Sequence, residues 1–427
     1  MRKRIAIATI GTQGDVQPYV ALAKALKERG YSVVVGASSD FEDLVRGNGL
    51  EFHSLGTNIQ SFLTQSLFEN AMSQNMFVNM PALLAQGQKI VDTAARLSWS
   101  MAQDADVIIL NLNTSYGIDM AEALDIPAIM SALQPLNTTS EFPLCAYSVP
   151  DLGPIFNRLT YAAANVQQAY YDFPRNRLRR ELMGLQPRKK GGFFKDTEGH
   201  NLTTLYAYSP LVSPRPRDWP KSAIVTGYWR LRDTSGWEPS GQFREFLNAG
   251  SKPVYIGFGS MPFGASRNTQ ILKDAVRAWG GRAVVSRGWG GIDPSDLPDN
   301  IYAIDKAPHD KLFQYMSGVV HHGGAGTTSA GLHAGCPTFV VPQAVDQPYW
   351  GRRVHDLNCG PEPVRLRKLT PAILASALSE LTTNQEYANN ARSLAAQLQV
   401  EDGTAKAIKH IERVMSNYHP KAMRKRA

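Results

Sequence analysis

Apolar and polar positions follow two alternating periods along the first half of the chain. Residues Arg4–Ile10 form a β-rich apolar run, Pro18–Arg29 carries apolar residues at helical spacing, and Ser32–Val35 is a second apolar run. A strand, helix and strand in this order predict a parallel sheet with helices on both faces. Further strands are expected at 106–110, at 128–130 and near residue 205, with a long helix over 81–101.

The pattern breaks at 232–241, RDTSGWEPSG, where glycine, proline and serine concentrate. Beyond it, strands and helices alternate again. The chain therefore has the pattern of two doubly wound α/β domains facing each other across a cleft, and the loops after the strands should line that cleft. The predicted boundaries are 1–232 for the N-terminal domain, 233–241 for the linker, 242–410 for the C-terminal domain and 411–427 for a basic tail. They leave open whether the last helix packs back on the N-terminal domain.

Length and composition agree with a two-domain globular protein. A chain of 427 residues exceeds one ordinary hydrophobic core, and no run approaches the ~18 apolar residues of a membrane span. The short apolar run after the basic N-terminus predicts no signal peptide. Cys145, Cys336 and Cys359 are widely separated, which disfavours a disulfide framework or a zinc site and favours a cytoplasmic location. The net charge of +8 leaves nucleic acid, an anionic membrane and an anionic substrate open.

The loop His321–Thr328, HHGGAGTT, follows a predicted strand and opens a predicted helix. Amides at a helix N-terminus bind anions, and glycines let a phosphate approach the main chain. The loop lacks the ending of a Walker A motif and the third glycine of a dinucleotide fingerprint. We interpret it as a diphosphate cradle, although a glycine-rich turn before a helix is also common.

Two further loops of the second half carry candidate donor contacts. Gly257–Met261, GFGSM, follows a strand and places Ser260 where it could meet a phosphate. In Ser286–Gly291, SRGWGG, the indole of Trp289 could stack on a base, or it could pack under its own loop.

The loop from Thr9 to Pro18 joins the first strand to the first helix and carries Asp15. An aspartate at this place commonly caps the helix. Alternatively, a partly desolvated carboxylate in the cleft could act as a general base towards an acceptor hydroxyl. The loop alone leaves both roles open.

Taken in order, these loops resemble the sterol glucosyltransferase branch of the nucleotide-sugar-dependent glycosyltransferases with the GT-B fold. The resemblance covers most of the chain. It is carried by GTQGDVQPYVALAKAL at the start, VTGYW at 225–229, PVYIGFGSM at 253–261, GWGG at 288–291, APHDKLF at 307–313 and VVHHGGAGTTSAGLHAGCPTFVVPQAVDQPYWGRRV at 319–354. It implies two Rossmann-like parallel-sheet domains, an acceptor domain followed by a nucleotide-sugar domain.

Residue by residue, the resemblance implies that Asp15 is the catalytic base, because related enzymes place His or Asp there. It places Asp346 and Gln347 at the sugar hydroxyls, a role that suits a carboxylate and an amide. It also implies that Ser260 lies on one side of the diphosphate, that Trp289 lies near the uracil, and that Ala307 and His309 contact the base and the ribose. The residues implied to hold the diphosphate are His322, Gly324, Gly326, Thr327 and Thr328.

Two positions depart from the family. Gln13 stands where arginine is frequent, and Ala330 stands where plant relatives have a ribose-binding glutamate. The regions 58–80 and 134–147 resemble the family least, and we expect acceptor choice to depend on them. The first is rich in Met and Phe, which suits an adaptable apolar pocket or ordinary core. The candidate acceptor contacts are Gly14, Phe62, Met76 and Phe77.

The resemblance implies an inverting enzyme that moves a hexose, expected to be glucose, from a UDP-sugar to a hydroxyl of a lipophilic acceptor such as a sterol. Helix amides could stabilise the leaving diphosphate, so no metal and no cofactor beyond the co-substrate are expected. A natural-product glycosyltransferase using a TDP-deoxysugar is the main alternative, and a non-catalytic nucleotide-sugar-binding protein is the second. We expect a cytoplasmic protein that contacts membranes transiently and does not bind nucleic acid.

Overall fold

A computed structural model describes residues 2–56, 76–147, 149–188, 192–233, 235–259, 265–286, 296–305 and 307–420. Within these ranges, the side chains of 76–88, 147, 163–174 and 265 lie outside the description.

The N-terminal half contains a sheet whose described strands are all parallel, in the order β3-β2-β1-β4-β5-β6-β7. Both faces of β1, β2 and β4 are covered, which explains why these strands are continuous apolar runs. The strands are β1 (Arg4–Ala8), β2 (Ser32–Ala37), β3 (Glu51–Ser54), β4 (Val107–Leu110), β5 (Ala128–Ala132), β6 (Thr204–Tyr206) and β7 (Ala223–Val225).

The C-terminal half contains a second parallel sheet, with described strands in the order β10-β9-β8-β11-β12. Two parallel α/β sheets confirm the predicted fold class. The strands are β8 (Val254–Gly257), β9 (Ala283–Ser286), β10 (Ile301–Ile304), β11 (Gly318–His321) and β12 (Thr338–Val340).

Helices connect the parallel strands, as crossover connections require. The N-terminal half has α1 (Gln13–Glu28), α2 (Glu42–Gly47), α3 (Met76–Ala102), α4 (Gly117–Leu124) and α5 (Pro154–Met183). The C-terminal half has α6 (Gly241–Asn248), α7 (Ala265–Trp279), α8 (His309–Leu312), α9 (Ala325–His333), α10 (Gln347–Asp356), α11 (Pro371–Thr383), α12 (Gln385–Gln399) and α13 (Gly403–Asn417). None of the described helices is long and apolar enough to span a membrane.

The first helix begins earlier than the sequence pattern indicates. Proline favours a first helical position, so Pro18 is a plausible start, yet α1 begins at Gln13 and contains Pro18. Thr12, in extended backbone, is the N-cap. Asp15 consequently lies in the first helical turn, where its carboxylate can reach the loop before the helix.

The two halves share apolar cores. Helix α13 packs on α1, and its Ile408 and Ile411 are buried with Leu22 in the N-terminal core. This helix continues past residue 410 to Asn417, so part of the segment assigned to the tail is ordered helix. Another core joins Tyr206 of the first half to Trp350 of the second. These shared cores hold the strand-end loops of both sheets close together.

Candidate active site

The candidate site lies where loops after β1, β11 and β12 approach one another. Helix α9, which follows β11, contacts α1, which follows β1. Ala325, the first residue of α9, packs against the N-terminal core. The loop that carries the predicted base and the loop predicted to bind diphosphate therefore belong to one cleft.

Asp15 is half-buried and bonded to its own loop. Its Oδ2 accepts a hydrogen bond from the Thr12 backbone N at 2.7 Å and another from Thr12 Oγ1 at 3.0 Å. A Cβ on Gly11 would lie 2.3 Å from the same oxygen, so only glycine leaves room for the carboxylate. Burial raises the pKa of Asp15, and the hydrogen bonds from Thr12 partly oppose this effect. Asp15 thus caps the helix and is also a carboxylate with raised proton affinity in the cleft.

The loop after β4 braces the Asp15 loop, a feature that sequence reasoning missed. The buried side-chain amide of Asn111 donates to Thr9 Oγ1 and to the Ile10 carbonyl, and Asn113 donates to the same carbonyl. Thr9 Oγ1 in turn donates to the Asp15 carbonyl. The polar residues directly after the apolar run 107–110 could have indicated a role at the end of this strand. The sequence could not show that they bond to the Asp15 loop, which lies about a hundred residues earlier in the chain.

His322 fits between two glycines at the predicted diphosphate loop. A Cβ on Gly259 would lie 2.8 Å from its Nδ1, and a Cβ on Gly324 would lie 2.7 Å from its Nε2. The adjacent His321 is buried, and its Nδ1 accepts a hydrogen bond from the Gly323 backbone N at 2.8 Å. Burial lowers the pKa of both rings, that of His322 to about 4. Both histidines are therefore neutral near pH 7, and neither bears a charge before an anion binds.

The N-terminus of α9 is open to an anion. Gly324 is its N-cap and has no side chain that could accept from the first-turn amides. Gly326 is exposed, and a Cβ there would meet nothing within 4 Å. Thr327 is half-buried, whereas Thr328 is buried and its Oγ1 donates to the Gly324 carbonyl at 3.0 Å. The Thr328 hydroxyl therefore braces the loop in this structure and would have to leave that bond to donate to a phosphate.

Asp346 and Gln347 lie at the start of α10. Asp346 Oδ2 accepts a hydrogen bond from Trp350 Nε1 at 2.8 Å, which fixes the carboxylate against a buried indole. Gln347 Oε1 accepts from the backbone N of Gln343 and of Ala344. The side-chain oxygen of Gln347 is thus bonded to the loop, and its side-chain NH2 group remains to donate to a sugar. The preceding residue, Val345, has a φ of 53°, a strained backbone for a β-branched residue.

The charge of Asp15 in the first domain acts on Asp346 in the second. Burial raises the pKa of Asp346 to about 6, the Trp350 hydrogen bond opposes this, and the negative charge of Asp15 raises it further. Burial raises the pKa of the Cys145 thiol, and the negative charge of Asp346 raises it further. Asp15 is therefore close enough to Asp346 to act on its charge, and Asp346 is close enough to act on Cys145 of the 139–145 loop.

The predicted base and ribose contacts fall on α8 and the residues before it. His309 stacks on Phe313 at 4.7 Å between ring centroids, and its Nε2 lies 3.4 Å from Tyr255 Oη. Burial lowers its pKa to about 4, and its charge would in turn lower the pKa of His322. Ala307 packs beside this aromatic group. His309 is therefore close enough to His322 for the two rings to interact electrostatically.

Several predicted contacts lie outside the described residues. They are Ser260, Trp289 and Phe62, together with the side chains of Met76 and Phe77, whose backbone forms the start of α3. Gly14 is exposed in the first turn of α1.

Known protein families match both halves of the chain. Residues 5–143 match the glycosyltransferase family 28 N-terminal domain. Residues 287–413 match the family described as erythromycin biosynthesis protein CIII-like, C-terminal domain.

Curated relatives match nearly the whole chain. Sterol 3-beta-glucosyltransferase UGT80B1 of Arabidopsis thaliana is 33% identical over 425 residues, 95% of this chain and 67% of that protein. The chain belongs to the sterol glucosyltransferase family. It is also 35% identical to UGT80A2 of the same plant, over 95% of this chain and 64% of the relative. It spans only 29% of the sterol 3-beta-glucosyltransferase of Neosartorya fischeri, again at 35% identity.

Solved glycosyltransferases share the fold. The calicheamicin glycosyltransferase CalG4 superposes with a TM-score of 0.69 at 17% identity, over 98% of this chain and all of that one. The glycosyltransferase VinC, solved in complex with DTDP, has a TM-score of 0.63 at 20% identity, over 97% and 99% of the two chains. These matches confirm the predicted GT-B fold.

In this sterol glucosyltransferase family member, the loop 139–145 of the N-terminal domain contacts α10 of the C-terminal domain. Phe142 packs on Tyr349 of α10 at 5.3 Å between ring centroids, three residues beyond Asp346. Leu144 and Cys145 are buried beside it. The region 134–147, on which acceptor choice is expected to depend, therefore contacts the helix that follows Asp346.

Proposed function

We propose that this protein transfers glucose from UDP-glucose to a hydroxyl of a sterol or a related lipophilic acceptor, with inversion at the anomeric carbon. The plant relatives are sterol 3-beta-glucosyltransferases, which supports the acceptor class. One observation carries the chemistry. A carboxylate with a raised pKa, Asp15, lies in the same cleft as the open N-terminus of α9.

The proposed reaction is one displacement. Asp15 removes the proton of the acceptor hydroxyl while the hydroxyl oxygen forms a bond to the anomeric carbon. The bond from that carbon to the diphosphate oxygen breaks on the opposite face, and UDP leaves with the electron pair. A single displacement inverts the centre, so an α-linked donor gives a β-glycoside. Burial supports this role because it raises the affinity of Asp15 for the proton that it must take.

The leaving diphosphate would be stabilised by α9. Its first-turn amides are fixed by the helix before the reaction, where negative charge would grow, and Thr327 brings a hydroxyl to the same turn. His322 is neutral near pH 7, so it would donate an N–H to the diphosphate without adding a positive charge that would hold the leaving UDP. Asp346 would accept from sugar hydroxyls and Gln347 would donate through its amide group.

Because helix amides take the place of a cation in this account, chelation should leave the reaction intact. We expect the initial rate in excess EDTA to equal the rate with added Mg²⁺ or Mn²⁺. The comparison uses protein freed of metal by dialysis and verified by elemental analysis. A rate that collapses in EDTA and returns on addition of a divalent cation would contradict the proposed stabilisation.

The pH dependence of kcat/KM should show an acidic limb. Since burial raises the pKa of Asp15 above its ordinary value of 3.8, and the base must be ionised, activity should fall as pH falls through a value above 3.8. Burial raises the pKa of Asp346 to about 6, so this carboxyl group could also produce an acidic limb. An Asp346→Asn variant separates the two groups: the limb persists if Asp15 causes it. Its disappearance in that variant would assign the limb to Asp346 instead.

The function is tested by incubating the purified protein with UDP- and TDP-sugars and with sterol, flavonoid and macrolide acceptors, and detecting products by mass. We expect a hexose added to the sterol from UDP-glucose. Preference for a TDP-deoxysugar and a polyketide would replace the proposed substrates while retaining the site chemistry. Donor binding without hydrolysis or transfer would show a binding protein.

A further inference from the structure

A group of large apolar side chains is exposed around the start of α5. Val149, Leu152, Ile155, Phe156 and Leu159 have exposed fractions of 41%, 63%, 75%, 57% and 57%. We refer to these five residues as the α5 patch. Single exposed apolar residues are common on soluble proteins, but a contiguous group indicates a surface that contacts something apolar.

The grouping is specific to this segment. Ten large hydrophobic residues are exposed among those that the structure describes, and five of them fall within the eleven residues 149–159. The others, including Tyr315 and Val400, are scattered along the chain. The concentration at the start of α5 is therefore a local feature, not a general property of the surface.

The opposite side of the same helix is firmly attached to the protein. Asn157 and Tyr161 are buried. The Asn157 amide donates to the Ser140 carbonyl at 3.0 Å, and Tyr161 Oη donates to the Phe142 carbonyl at 3.4 Å. Ile155, Phe156 and Leu159 thus stand on the outer side of a helix whose inner side holds the loop 139–145.

That loop connects the patch to the cleft. Its Phe142 packs on Tyr349 of α10, and the charge of Asp346 acts on its Cys145. The α5 patch is therefore one loop away from the space between Asp15 and Asp346. An apolar acceptor entering from this side would meet the patch before it met the carboxylates.

We propose that the α5 patch docks the protein on the surface of a lipid bilayer, with its apolar side chains in the interfacial layer, so that a membrane-resident acceptor can enter the cleft. The choice of a bilayer as partner rests on the proposed function, because the acceptor assigned there is a lipid. Amphipathic surfaces bind membranes in proportion to the apolar area that they bury.

The charges around the patch are mixed. Asp151 accepts from the Gly153 backbone N, and Arg158 pairs with Asp218 at 3.0 Å. Attraction to anionic lipid is therefore not the main contribution expected, despite the net charge of +8. We expect binding to uncharged phosphatidylcholine vesicles and little change with salt, since salt screens charges but not apolar burial.

The experiment is flotation of the full chain with phosphatidylcholine vesicles at low and high salt, for the wild type and the variant Ile155→Ser, Phe156→Ser and Leu159→Ser. We expect the wild type to float with the vesicles and the variant to bind at least about tenfold more weakly, given the cost of exposing even one such side chain. These side chains are exposed, so thermal unfolding of the variant should match the wild type.

The matched control replaces three exposed hydrophobic residues outside the patch: Tyr315→Ser, Ile373→Ser and Val400→Ser. It should bind vesicles like the wild type. Equal binding of the wild type and the patch variant, or no binding of either, would overturn the proposal. So would a wild-type dimer in sedimentation that the patch variant loses, because the patch would then be an interface between two copies.

Two measurements separate the proposal that the α5 patch docks on a bilayer from the proposal that the protein glycosylates a sterol. Transfer to a sterol held in detergent micelles does not require docking, so the patch variant should retain that rate while losing transfer to sterol in vesicles. If the wild type transfers no sugar to any sterol but binds vesicles through the patch, the docking surface stands and the proposed acceptor is wrong.

Discussion

Asp15→Asn should lower kcat by about 100- to 10,000-fold, the usual contribution of a general base. The affinity for UDP-glucose should change little, because the donor is assigned to the second domain. Asparagine keeps the size of the side chain and an oxygen that can accept from the Thr12 backbone N, so the helix start should be preserved. The measurement is steady-state transfer to a sterol at saturating donor, together with UDP-glucose binding by calorimetry.

The matched control is Asp43→Asn, the same chemical change in the first turn of α2. Asp43 is exposed, and its variant should transfer at the wild-type rate. If Asp15→Asn kept a wild-type kcat, the carboxylate would be a helix cap alone. A fall in kcat that is accompanied by a clear fall in the unfolding temperature would also indicate that Asp15 acts as a helix cap.

Gly326→Asp should weaken donor binding, raising the Kd for UDP by about 100-fold or more, because a carboxylate would stand where the diphosphate is proposed to bind. The change is sterically tolerated, since a Cβ on Gly326 meets nothing within 4 Å. An acidic residue near a helix N-terminus is also favourable to the helix. Calorimetric titration with UDP measures the effect.

Gly326→Asn is the control for this variant, since it has nearly the same shape without the charge. It should bind UDP much more tightly than Gly326→Asp, and the difference in Kd between the two variants should decrease at high salt. If both variants bound UDP as the wild type does, the diphosphate would lie elsewhere than at the start of α9.

The sequence predicted the elements that depend on local pattern. Two α/β halves follow from alternating apolar periods, and the loop 321–328 lies between β11 and α9 as expected, because a glycine-rich turn between strand and helix is a local feature. The start of α1 differs for a local reason as well. The apolar spacing begins at Pro18, whereas the helix begins at Gln13 and accommodates the proline in its interior.

The sequence could not show which polar atoms are already in use. Thr328 was expected to meet phosphate, but its hydroxyl donates to Gly324. Gln347 was expected to contact sugar hydroxyls through its side-chain amide, but the oxygen of that amide accepts hydrogen bonds from the loop before α10. The hydrogen bonds of Asn111 to the Asp15 loop and the approach of Asp15 to Asp346 join residues far apart in the chain. Such contacts depend on tertiary packing, which no local pattern encodes.

The most direct test of a single displacement between Asp15 and the start of α9 is the anomeric configuration of the product. The protein is supplied with UDP-glucose, whose anomeric bond is α, and a sterol, and the glycoside is analysed by proton NMR. The account predicts a β-glycoside, seen as the large coupling of an axial anomeric proton to its axial neighbour. A small coupling, showing an α-glycoside, would contradict it.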